Sequence, residues 1–143
     1  MSLDDAFVPE SGVEIDLGVN LDDIPPQHAA PEGEYRLILS DVEIGESEKT
    51  GGRYIRATLE IADDPDAKLI SHIMMLPASD DKERKRKNRL RAIGDFYKAF
   101  GIPSSGVVKL DQYLGNQGFA ILRIDDDKEY GEQNRVRRFV TGK

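Results

Sequence analysis

Holding a single strand of nucleic acid takes two kinds of side chain: cations that track phosphates, and aromatic faces on which bases stack. Both occur here at spacings that put them on one side of a strand. In "RYIRATLEIA" (53–62) polar and apolar residues alternate. Ile55, Ala57, Leu59 and Ile61 point one way, and Tyr54, Arg56, Thr58 and Glu60 the other. Tyr54 and Arg56 thus share a solvent face, with Lys49 and Arg53 at the hairpin leading into it. His72 lies midway along the next apolar run. Arg123, Tyr130, Arg135, Arg137 and Arg138 add a cationic patch late in the chain, including three arginines in the four residues "RVRR". Each arginine taken singly also suits an ordinary solvated strand face; their grouping is what points to an anionic ligand. A lone histidine in an apolar strand usually fills a structural role, and Tyr35, Phe119 and Phe139 suit core packing better than stacking.

A second cationic element is "DKERKRKNRLR" (81–91), with seven positive side chains in eleven positions. Leu90, Ile93, Phe96, Tyr97 and Phe100 follow at helical spacing and form one apolar stripe. Asp80 with Glu83 three residues on reads as a capping box, and Gly101 and Pro103 as the stop. Positive charge in a first helical turn opposes the macrodipole by roughly 0.3–1 kcal/mol per exposed group. An anionic partner would relieve that. Three roles fit Arg84, Lys85, Lys87 and Arg91: a solvated face, contact with a nucleic-acid backbone, or a seat for the acidic arm described next.

The chain carries a formal net charge of -7, but unevenly. Residues 1–34 hold nine acids and no Lys or Arg, leaving 18 acids against all 20 bases in the other 109 residues, a net of +2. Residues 1–32 are expected to be an acidic, flexible arm that ends in "IPPQHAAPEG", with residues 33–143 as one domain. The period-2 stretch "VEIDLGVNL" in that arm also fits an added strand. There is no cysteine, so no disulfide or thiolate chemistry, and two histidines are too few for a zinc site. The acids at 63–66 and 125–127 lack calcium-loop spacing and suit turns. No nucleophile–base arrangement stands out. The expectation is a protein without metal, cofactor or catalysis. "MSLDDAFVPE" has no signal-peptide character and no apolar run reaches the ~20 residues of a membrane span, so a cytoplasmic protein without membrane contact is expected.

These residues need elements to position them. "EYRLILSDVEI" (34–44), 53–62, "AKLISHIMML" (67–76), "FAILRID" (119–125) and "NRVRRFVT" (134–141) read as strands, with the helix after the third, a short helical turn in 110–118 and a loop at 126–133. The order β-β-β-α-β-β is that of the five-stranded OB-fold, a mainly β Greek-key barrel that binds oligonucleotides or oligosaccharides. In that barrel the helix closes one end, away from the face of strands 2 and 3.

The stretch "PEGEYRLILSDVEIGESEKTGGRYIRATLEI" resembles a phage-encoded single-stranded-DNA-binding family long catalogued as a domain of unknown function. The carriers are an acidic leader, a "P-x-G-x-Y" strand start, a "K-T/S-G-G" hairpin, the helix "LRAIGDFYKAFGIP", and the strands "LGNQGFAILRI" and "QNRVRRFV". The resemblance covers about residues 31–141, and the order of its motifs supplies the specificity. It implies an OB-fold that binds single-stranded DNA with little sequence preference in phage replication or recombination, with replication or recombination proteins recruited through the acidic arm. The run at 82–91 is more basic than the family pattern. The alternative expectation is an OB-type module that regulates a phage recombinase or a host enzyme by binding protein.

Overall fold

The computed structural model describes residues 12–142. Five strands form one antiparallel sheet: β1 (Gly33–Glu46), β2 (Arg53–Ile61), β3 (Ile70–Met75), β4 (Gln117–Asp127) and β5 (Gly131–Val140). The one α-helix among the described residues, α1 (Glu83–Phe100), joins β3 to β4, and a short 3-10 turn (Leu110–Tyr113) precedes β4. The strand order is β3-β2-β1-β4-β5, and the two outer strands, β3 and β5, lie in contact with each other. The mainly β architecture with one helix is therefore as the hydrophobic periods predict.

The long first strand serves two neighbours because it is bent. Gly33 to Ile38 pair with β4 and Leu37 to Glu46 with β2, and Ser40 is the extra residue of a bulge between Leu39 and Asp41. Such an insertion kinks and twists a strand. Inside the curved sheet lie Leu37, Leu39, Ile55, Ala57, Leu59, Ile70, Met74, Ala120 and Leu122, all buried. Helix α1 closes this core with Ile93, Phe96 and Phe100, and Phe96 and Phe100 meet Phe139 of β5 at 5.8 and 5.9 Å between ring centres. The helix comes so near β4 that a Cβ on Gly118 would lie 2.5 Å from the Ala99 carbonyl oxygen. Gly101, at φ 69°, ends it in the left-handed conformation that glycine adopts freely.

Four details depart from the sequence reading. The capping box does not form: the N-cap is Lys82 without a side-chain cap, because the Asp81 carboxylate turns back to the Ala78 N–H (2.9 Å) and to Arg89 (2.8 Å). Leu90 stays 45% exposed rather than joining the apolar stripe. The 126–133 loop shrinks to a tight turn between Asp127 and Gly131, where the Asp127 carboxylate accepts the N–H groups of Glu129 and Tyr130. Finally, the end of the arm is fastened. His28 bridges Ala67 in parallel and pairs with Asp64 at 2.8 Å, and Glu32 accepts the Ile124 N–H. Asn134, buried on β5, brackets Ala30: its Oδ1 accepts the Ala30 N–H at 2.8 Å and its Nδ2 donates to the Ala30 carbonyl at 2.9 Å. Asp4, Asp5 and Glu10 of the arm lie outside the described residues.

Candidate functional site

The outward side of β2 and β3 is one surface. Tyr54, Arg56 and Thr58 stand opposite Met75, Ile73 and Ser71 of β3, and opposite Gly45, Glu43 and Asp41 of β1. Tyr54 lies over Gly45 so closely that a Cβ there would fall 2.5 Å from the ring. That glycine is what lets the ring rest across the neighbouring strand. The Arg56 guanidinium sits 5.5 Å from the Tyr54 ring centre and donates to Glu43 at 2.9 Å. Arg56 is thus paired with Glu43 and lies against the Tyr54 ring; it is not a free phosphate contact.

Along β3 the exposed side chains form a line. Leu69, Ser71 and Ile73 are exposed, Ile73 to 50%, and Met75 is half-buried. At about 3.3 Å per residue the line from Leu69 to Met75 is roughly 20 Å long. Tyr130, 65% exposed, stands at one end, where Lys68, Leu69 and Gln27 also gather. At the other end the line runs into the helix. Ile73, Met74, Met75 and Ala92 form the floor, and Lys82, Arg84, Lys85, Asn88 and Arg89 the walls, of a groove of about 570 Å³. The basic run therefore does not sit apart from the strand 2–3 face, as its place at the barrel end suggested. Its first two turns flank that face.

The charges in the groove are differently engaged. Arg89, 22% exposed on its side chain, holds Asp81 and the Leu76 carbonyl and so pins the start of α1 to the end of β3. The Ala78 N–H, and then the Arg89 and Lys85 cations, hold the Asp81 carboxyl below its ordinary value of 3.8. Lys85 reaches Asp81 only at 3.7 Å, and Lys82 and Arg84 make no ion pair among the described residues. These three can take an external anion. Lys87 pairs with Glu83 at 3.1 Å and Arg91 bonds Asn88 at 2.9 Å; neither lines the groove.

Other expected residues fall elsewhere. His72 pairs in register with inward Ala57, so it turns into the core, 5.1 Å from the Phe139 ring, and burial pushes its pKa below 6.5. It belongs to the core and not to the site. Arg123 lies on β4, which β1 separates from β2, and Arg135 and Arg138 lie on β5, which pairs with β4 and contacts β3 on its other side. Arg123 grips Asp125 at 3.0 and 3.2 Å, which raises the pKa of the arginine and lowers that of the acid, and Arg135 donates to the Asn134 carbonyl. Arg137 is the extra residue of a second bulge; it and Arg138 are exposed and unpaired among the described residues. Lys49 and Arg53 are exposed at the β1–β2 hairpin. Tyr35 and Phe139 pack in or against the core. Sequence reasoning missed Ile73 and Met75; their signal is an apolar residue at the outward phase of a short strand, hidden because the run is apolar on both faces towards its end.

Residues 19–136 match the family described as "Protein of unknown function (DUF669)". The chain belongs to that family. The match takes in the last part of the arm, β1 to β4, α1 and the first part of β5, and so covers every residue of the groove. Among curated proteins none matches this DUF669 chain.

Proposed function

We propose that this DUF669 protein is an OB-fold that binds single-stranded DNA with little sequence preference, along the outward line of β3. Support for the fold reading comes from the strand order, from the contact of β3 with β5 that brings the sheet round on itself, from the bulged first strand and from the helix between strands three and four. One observation carries the binding reading: exposed apolar side chains of β3, the Tyr54 ring and unpaired cations of the basic run share a single open face. Bases can lie on Ile73, Met75 and Tyr54 while Lys82, Arg84 and Lys85 meet phosphates. Such contacts read neither base edges nor a duplex groove, which is why little sequence preference is expected. The role is binding without catalysis. The setting we propose, phage DNA replication or recombination in the host cytoplasm, rests on the sequence resemblance alone.

The test is Tyr54→Ala against Tyr54→Phe. Loss of a stacking face is worth about 1–3 kcal/mol, which is roughly a 5- to 150-fold weaker Kd for single strands. Phenylalanine should keep the affinity. Equal binding by all three proteins would refute the stacking role, and no binding by the parent would favour the protein-adaptor alternative.

A further inference from the structure

Two surfaces lack a partner among the described residues, and their chemistries are complementary. In residues 13–24 of the arm Val13, Ile15, Leu17, Val19, Leu21 and Ile24 are at least 50% exposed. Glu14, Asp16, Asp22 and Asp23 are interleaved with them and make no ion pair among the described residues. The opposite surface is the groove, with its apolar floor and its unpaired Lys82 and Arg84. Alternation in an extended segment puts Val13, Ile15 and Leu17 on one side and Glu14 and Asp16 on the other, before the chain turns at Gly18 (φ 75°). The apolar side fits the floor. Long cationic side chains on the walls can reach the carboxylates above it.

We infer that the groove of one copy receives residues 13–24 of a second copy, and that single-stranded DNA displaces them. Geometry at the root of the arm selects the second copy over the chain's own groove. His28 bridges Ala67 in parallel, so the residues before His28 run back beside the 63–66 turn, away from β3. Pro25 and Pro26 then hold the exit extended. The arm thus leaves its own sheet pointing away from its own groove. The association step stands on the arm and groove alone; the displacement step rests on the nucleic-acid reading of the same groove.

Because the chain has no cysteine, introduced ones report contacts cleanly. Val19→Cys and Ile73→Cys proteins, each full length, are mixed under mild oxidation and the disulfide-linked heterodimer is measured. A mixture of Val107→Cys with Ile73→Cys gives the background, since Val107 is fully exposed outside both surfaces. Heterodimer well above background, and abolished by added salt, is the expected result. Yield at background would overturn the inference. So would an internally cross-linked monomer, with no disulfide between molecules, when both cysteines are in one chain. Heterodimer formation that a single-stranded oligonucleotide leaves unchanged would uphold the arm contact and count against the nucleic-acid reading.

Discussion

Replacing Asn134 by alanine should release the root of the arm and lower the melting temperature markedly. The Asn134 side chain is 1% exposed, and Ala30, which it brackets, is also 1% exposed. Alanine at 134 removes the acceptor of the Ala30 N–H and the donor to the Ala30 carbonyl, and also the weaker contact to the Arg123 carbonyl at 3.4 Å. A buried polar group left without a partner costs about 1–3 kcal/mol, so two would cost about 2–6 kcal/mol. The arm can swing its end into water, which caps the loss at about 2–4 kcal/mol; at about 4 °C per kcal/mol this is a fall of about 8–16 °C. Scanning calorimetry reads the fall, and hydrogen exchange at the Ala30 amide shows whether the arm has let go. Asn134→Asp sharpens the test. Its carboxylate can still accept the Ala30 N–H but faces the Ala30 carbonyl with a second acceptor, so its folded-state pKa is raised. The variant should therefore regain stability as the pH falls, when a protonated carboxyl can donate, whereas the alanine variant should not. A fall of less than about 2 °C for Asn134→Ala, roughly half a kcal/mol, with the Ala30 amide still protected, would refute the clamp.

Further outcomes follow from individual residues. Gly118→Ala should push α1 off β4 and cost about 1–3 kcal/mol, or about 4–12 °C by calorimetry, given the 2.5 Å approach of its Cβ to the Ala99 carbonyl oxygen; a parental melting temperature would contradict that packing. Burial lowers the pKa of His72 in the fold, while the unfolded chain takes up its proton near the ordinary value of 6.5. The unfolded state thus binds more protons below that pH, and stability should drop as the pH falls through 6.5. In His72→Phe the slope of melting temperature between pH 7 and 5 should flatten, and an unchanged slope would assign the titration to another group. Changing both Lys82 and Lys85 to Gln should weaken single-strand binding equally across sequences and reduce the log–log salt slope by about 0.7 for each phosphate that is no longer neutralised. Lys87→Gln, outside the groove, should leave that slope as it was.

Much of this is legible in the sequence, for a physical reason. β2 is buried on one face only, so its alternation declares both the strand and its inward side, and Tyr54 and Arg56 can be placed at once. β3 is opaque because "ISHIMM" is apolar in both phases; only pairing with β2 turns His72 in and leaves Ile73 out. The start of α1 is misread because three acids compete there, and Asp81 reaches Ala78 and Arg89 where Asp80 and Glu83 fit a local rule. The 126–133 segment reads as a loop because its strand ends are solvated on both sides, which erases the hydrophobic period. Bulges at Ser40 and Arg137 reset the alternation without any sequence mark. The groove itself is a tertiary fact: nothing local tells that Lys82 and Arg84 come beside Ile73 and Met75. Asn134 does carry a signal, an amide at an inward position of a strand that otherwise turns Val136 and Phe139 inward.

The most direct test of the account is fluorescence anisotropy of labelled single-stranded and duplex oligonucleotides of equal length, titrated with the full-length protein at several salt concentrations. Tight single-strand binding that weakens steeply with salt is expected, with much weaker binding to duplex. No single-strand binding at low salt, or equal binding to both forms, would contradict it.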